Sequence, residues 1–425
     1  MNSPYSYLQN SFASSYMAKN GFLYEGGSRI ASMASEPTPP PVQKKYDFAD
    51  LSIAGITGLA LALTMLFLCA VPLTDIAGKR DFVAFWATGQ QLAHHGNPYD
   101  RDAMMRIERS VGAPVQDEVL FMRNLPWALP LAYPLGFIGL GVAAFLWSLA
   151  LLACLLLSVR ILWQMHGRPG NYLHWLGVSF APALLCLMMG QTSLFALLGY
   201  VLFLSLHRNH PFAAGISLWL CALKPHLFLS VGIVLLLWIL LSKSYKLLLG
   251  VVAALAASCT VLYLIDPTAW IDYARMMRIA GIGGAHVPCL SVALRFWLRP
   301  QSAAFTYLPA ALGCVWALGY FWWNRHRWDW MKNGSLLLLV SLLTAPYAWV
   351  YDDGLAIPAL LHGAYLTRSR ILLAILAFAS CTIEVELLSG VKIQSNFYLW
   401  TAPTWLLWYL CAARFTKAKE EKTAA

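Results

Sequence analysis

The chain predicts an all-α polytopic membrane protein, and three observations carry that expectation. It is 59% hydrophobic and 12% charged, where a soluble domain is roughly 25% charged. Apolar stretches approaching the about 20 residues that a bilayer-crossing helix needs recur along its whole length. Lys and Arg gather in alternate connections between those stretches, the pattern that orients membrane helices. The net charge of +10 therefore reads as topology rather than as a nucleic-acid surface.

Taken in order, residues 1–48 form a polar tail rich in Ser and Gly with a TPPPV run, expected to be disordered and cytoplasmic. A single membrane domain follows over 49–415, and 416–425 close the chain as a second cytoplasmic tail. About twelve apolar segments read as transmembrane helices: 51–73, 141–163, 173–189, 192–206, 211–223, 226–242, 246–265, 304–323, 334–350, 354–366, 370–388 and 397–413. Basic residues such as Arg160, Arg208, Lys243, Arg325 and Arg370 fall on one side of successive hairpins, which puts both termini inside. The nine cysteines lie almost all within the apolar segments and show no CxxC pair, so they read as small core residues.

Two connections are long, and both fall outside. The first, 74–140, opens on DFVAFWATGQQLAHHGNPYD and ends in LPWALPLAYPLGF. Pro126, Pro130 and Pro134 exclude a regular helix there and suggest an interfacial, partly re-entrant segment. The second, 266–303, predicts an amphipathic helix over 268–280 lying on the membrane, with Ile271, Met276 and Ile279 on its apolar face.

The same topology places an unusual set of polar residues on the outer side: Asp81, Gln191, Lys224, His286, Asp352 and Asp353. Each has a plain structural explanation. Asp81 can cap the helix after it, Gln191 with Gly190 can end a helix, Lys224 can snorkel to the interface, His286 can sit in a loop, and the paired acids can open a helix. Their coincidence on one face argues for a site, because polar groups beside membrane segments are costly.

Transfer from a lipid-anchored donor is the chemistry that needs such a set. A lipid phosphate sits at headgroup level, where Lys224 and His286 supply positive charge. Asp81 can deprotonate an incoming hydroxyl. Gln191, Asp352, Asp353 and the aromatics Tyr99 and Trp127 are candidate substrate contacts, and Phe82, Phe85 and Trp86 are further candidates for stacking on sugar or anchoring in the interface. No metal site or cofactor is expected, since adjacent acids in a turn do not make one.

These motifs, in their order, resemble glycosyltransferase family 87: DFVAFW after the first span, GNPYD, LPW-LPL-YPLG, GQTSLF, KPH and APYAWVYDD. The resemblance runs over about 75–350. It implies a GT-C architecture and an inverting transfer from a polyprenyl-phosphate sugar. The sugar is typically mannose, or arabinofuranose in some members. The acceptor is a glycolipid or glycan hydroxyl on the outer face of the bacterial cytoplasmic membrane. It also implies that Asp81 matches the catalytic aspartate, Lys224 the lysine after the GQ segment, and Asp352–Asp353 the late acidic motif. Around His286 the chain reads GGAHVPCLSVALR, where the family often has an Asn-rich segment. The rival reading, a transporter or flippase of lipid-linked sugars, predicts paired broken helices and ionisable groups at the midplane. The spans are almost free of such groups apart from Glu384 and Glu386. A membrane scaffold without catalysis leaves the polar set unexplained.

Overall fold

A computed structural model describes residues 48–70, 81–112, 123–279, 287–300, 302, 304–367 and 369–424. The N-terminal tail up to residue 47, and His286, lie outside the described residues. Every regular element among the described residues is helical. Among the described residues, five helices are long and apolar enough to cross a membrane, by length and composition: Leu140–Met165, Pro225–Ser242, Tyr245–Ile265, Ala304–Arg327 and Arg370–Leu388. The protein is thus a helical membrane protein.

The remaining apolar segments hold shorter helices, and their interruptions have local causes. Segment 173–189 splits into Trp175–Val178 and Ala181–Met189. The second piece starts with Pro182 in its first turn, where a missing N–H costs nothing, and Ser380 Oγ accepts from Ala181 N at 2.9 Å. It stops at Gly190, whose φ of +72° is the left-handed cap conformation. Helix Pro211–Cys221 ends just before Pro225, and Leu229–Ser242 resumes after a 3-10 turn, Pro225–Phe228. Helix Lys332–Leu343 stops short of Pro346, which disfavours helical geometry in the residue before it. The chain re-enters helix through the 3-10 stretch Val350–Ala356 and then Ile357–Leu366.

These three interruptions carry Gln191, Lys224 and Asp352. Backbone groups released by a broken helix must find partners if they are buried in protein. They do so here. Trp147 Nε1 donates to Gly190 O at 2.8 Å. Trp127 Nε1 donates to Ala222 O at 2.8 Å and Asn124 Nδ2 to Leu223 O at 3.2 Å. Ser291 Oγ donates to Ala345 O at 2.7 Å.

The proline-rich segment is built from short turns, Pro126–Ala128, Leu129–Ala132 and Tyr133–Phe137. It docks on helix Phe82–Ala93 through Gly89 and Gly136, each of which would thrust a Cβ into the other's backbone. Gln90 Nε2 and Trp86 Nε1 secure it on Gly136 O and Ile138 O at 2.8 and 2.9 Å. Helix Ser193–Leu206 is apolar on all sides and sits at the centre, with Leu194, Ala196, Leu197, Val201 and Phe203 fully buried. Glu384 accepts from Thr64 Oγ1 at 2.9 Å, linking Arg370–Leu388 to the first helix, Phe48–Ala70.

In the second long connection the helix spans Ala269–Ile279, within the expected 268–280. Asp272 and Met276 are buried, while Ile271 is exposed with Arg275 and Arg278. Asp272 faces inward because Thr268 Oγ1 and Arg275 Nη1 both reach its carboxylate, at 2.8 and 3.2 Å. The side chain of Ile279 is outside the described residues.

Candidate active site

Asp81 immediately precedes helix Phe82–Ala93 and makes no side-chain cap to it. Its position follows from packing one residue on. Phe82 lies against Gly190 so closely that a Cβ on Gly190 would fall 2.6 Å from Phe82 Cβ. Trp147 packs on Phe82, Phe85 and Phe195 with ring centroids 5.7, 5.2 and 5.1 Å away, and its indole holds Gly190 O. That aromatic knot brings Asp81 beside the residue after Gly190. Gln191 Nε2 donates to Asp81 Oδ2 at 2.7 Å. Asp81 Oδ1 has no hydrogen-bond partner among the described residues, and the side chain is half-buried. Burial pushes the Asp81 carboxyl above its ordinary range, the Gln191 amide and Lys224 charge pull it down, and Asp352 pushes it up.

Lys224 Nζ lies 2.7 Å from Asp352 Oδ1, with both side chains buried. The ammonium also stands 5.0 Å from the centre of the Tyr351 ring. Asp352 is fully engaged: Oδ1 accepts from Ser193 Oγ as well, and Oδ2 from Trp349 N at 2.9 Å. His226, two residues beyond Lys224, stacks on Tyr347 at 3.8 Å, and its buried Nε2 has no hydrogen-bond partner among the described residues. Asp81, Gln191, Lys224 and Asp352 therefore share one neighbourhood, assembled from the first long connection and three helix breaks.

The other expected contacts are each engaged by the protein itself. Asp353 turns away from Asp352, and its Oδ2 accepts from Trp405 Nε1 at 3.0 Å. Its carboxyl is pushed up to about 7 by burial, against hydrogen bonds from Thr401 and Trp405 and with Asp352 adding to the rise. Tyr99 is buried against Tyr273, ring centroids 5.5 Å apart, and burial raises its hydroxyl pKa. Trp127 spends its indole N–H on Ala222 O. Phe82, Phe85 and Trp86 are buried in the protein, so they support the site rather than present a face to sugar. Among the described residues no three His, Cys, Asp or Glu side chains gather into a metal-binding group.

Sequence reasoning missed Ser193, His226 and Tyr351. Ser193 and His226 were within reach, lying inside GQTSLF and KPH at one or two residues from a named candidate. Tyr351 precedes the acidic pair, but nothing in its spacing marks it as a platform for Lys224.

No curated protein and no solved structure matches the chain. The family comparison does match. Glycosyltransferase family 87 aligns with residues 124–350, a stretch that includes Gln191, Ser193 and Lys224 and stops short of Asp81 and Asp352. Because that stretch is more than half of the 425 residues, the chain belongs to glycosyltransferase family 87 and is a glycosyltransferase.

Proposed function

We propose that the protein transfers a sugar, mannose being the expected one, from a polyprenyl-phosphate donor to a hydroxyl of a glycolipid or glycan acceptor, with inversion, on the outer face of a bacterial cytoplasmic membrane. The observation that carries the reading is Asp81. One carboxylate oxygen is fixed by Gln191, the other has no hydrogen-bond partner among the described residues, and the buried Lys224–Asp352 pair stands beside it.

In this reading the acceptor oxygen attacks the anomeric carbon while Asp81 Oδ1 takes its proton. The bond from that carbon to the phosphate oxygen breaks, and the phosphate leaves with the electron pair. A single displacement inverts the anomeric centre. A base whose pKa lies nearer the working pH accepts a proton more readily, and the upward shift of Asp81 acts in that direction. Lys224 has three N–H donors. Asp352 takes one, leaving two for phosphate oxygens. Gln191 holds the base rather than the sugar. His286 remains a candidate for the donor phosphate.

The test is Asp81→Asn in the purified protein. Asn keeps the shape and an oxygen for Gln191, so folding and donor binding should survive. Turnover from a polyprenyl-phosphate sugar should fall by about 10²–10⁴-fold. Transfer at the wild-type rate would end this reading. For the side of the membrane, a cysteine placed at Ser302 should react with an impermeant reagent from outside, and one at Ser369 should not.

A further inference from the structure

Lys224 is not a free cation. Asp352 neutralises it at 2.7 Å, and Asp81 adds a negative charge nearby. A phosphate entering this neighbourhood meets more negative than positive charge, so an unpaired cation elsewhere becomes significant. Arg295 is one. It lies in helix Leu290–Leu298 and is 2% exposed. Its Nε and Nη2 have no hydrogen-bond partner, and no carboxylate pairs with it among the described residues. The adjacent Phe296 ring, 4.6 Å from the guanidinium carbon, is a weak substitute for a counter-ion.

A buried charge without a partner costs several kcal/mol and persists where something compensates it. The identity of the two bare atoms narrows the choice. Nε–H and one Nη2–H point the same way along one edge of the guanidinium, a fork that binds two oxygens of a phosphate side by side. Position supports a lipid source. Cys289, at the start of this helix, lies within the field of Asp352, and Ser291 Oγ anchors the helix on Ala345 O at 2.7 Å. Arg295 is one turn further along the same face as Ser291. Trp297 and Leu298, on the next residues, are exposed and apolar, so lipid can lie against that end of the helix.

We propose that Arg295 is an anion-binding residue that takes a lipid-borne phosphate through its Nε–Nη2 edge. Only the identity of the lipid, a polyprenyl phosphate, rests on the function proposed above.

The full-length protein in detergent is titrated with a sugar-free polyprenyl monophosphate and, separately, with phosphatidylglycerol, and binding is read by native mass spectrometry. Arg295→Met should lose tenfold or more in affinity, and Arg295→Lys, which keeps the charge but not the fork, should fall between. Without lipid, Arg295→Met should melt no lower than wild type, because it removes an unpaired buried charge. Loss confined to polyprenyl phosphate identifies the carrier lipid as the source. Loss confined to, or shared by, phosphatidylglycerol identifies a phosphate headgroup, and the anion site stands in each case. Affinities within twofold of wild type for both lipids would overturn it. Should Arg295→Met fail to fold, an undiminished affinity in Arg295→Lys overturns it equally, and a reduced one supports it. The titration involves no turnover, so it and the Asp81→Asn assay fail independently.

Discussion

Asp81 and Asp352 are both aspartates beside Lys224, yet one carboxylate accepts a single amide hydrogen bond and the other accepts three donors. Asp352 sits in a broken helix inside the protein, where an unsatisfied carboxylate would be very costly. Its surroundings therefore supply Ser193, Lys224 and a backbone N–H. Asp81 stands at the entrance to a helix with one oxygen left over and some exposure. A group that must pick up and release a proton cannot be saturated. A group that holds a lysine in place can be. In the mechanism proposed above, the contrast separates a reacting carboxylate from a positioning one, although both lie in one neighbourhood.

The largest effect that tests this contrast is on stability. Removing Lys224 leaves Asp352 buried without its counter-ion, and breaking a buried pair in that way costs about 3–5 kcal/mol. Lys224→Ala should melt far below wild type. Pairing Lys224→Met with Asp352→Asn removes both charges and should recover most of the loss. That double variant should fold and fail to transfer sugar. If it transfers normally, the pair is only a structural element and the contrast with Asp81 loses its functional meaning.

A smaller effect is expected at Gln191. Its amide lowers the Asp81 pKa and fixes the carboxylate, and a hydrogen bond to a charged group is worth about 1.5–3 kcal/mol. Gln191→Leu should move the acid limb of the rate–pH profile to higher pH. The sign follows from the chemistry. Only ionised Asp81 accepts a proton, so activity falls as pH drops through its pKa, and a variant with a higher pKa loses activity sooner. An unmoved acid limb with reduced affinity for sugar would make Gln191 a substrate contact instead.

Much of the fold was legible in the sequence because its causes are local. Apolar length pointed to a helical membrane protein and Gly190 to one of the breaks, whereas 334–350 read as one helix although Pro346 interrupts it. The union of Asp81 with Gln191 was not legible, since it joins residues 110 apart through the contact of Phe82 with Gly190. The burial of Asp272 in Ala269–Ile279 was not legible either. Hydrophobic periodicity assumes that acids face out, and Asp272 faces in on Thr268 and Arg275. Asp352 and Asp353 looked equivalent as a pair. In a 3-10 stretch, successive side chains project about 120° apart, so one meets Lys224 and the other meets Trp405.

That divergence yields the smallest and most specific prediction. Asp353 accepts hydrogen bonds from Thr401 and Trp405, and burial raises its carboxyl to about 7 from an ordinary 3.8. The folded state therefore holds this proton more tightly than the unfolded chain. Its contribution to stability is complete below the ordinary carboxylate pKa and is lost as pH rises through about 7. Asp353→Asn keeps an oxygen to accept from Trp405 Nε1 and cannot ionise. The variant should melt close to wild type below the ordinary carboxylate pKa and increasingly above it as pH rises to about 7, with sugar transfer at the acidic end little changed. Asp352→Asn should instead melt below wild type, because it removes the charge that holds Lys224. Parallel melting curves for the two variants across pH would show that the adjacent aspartates share one role, and the division between them would fail.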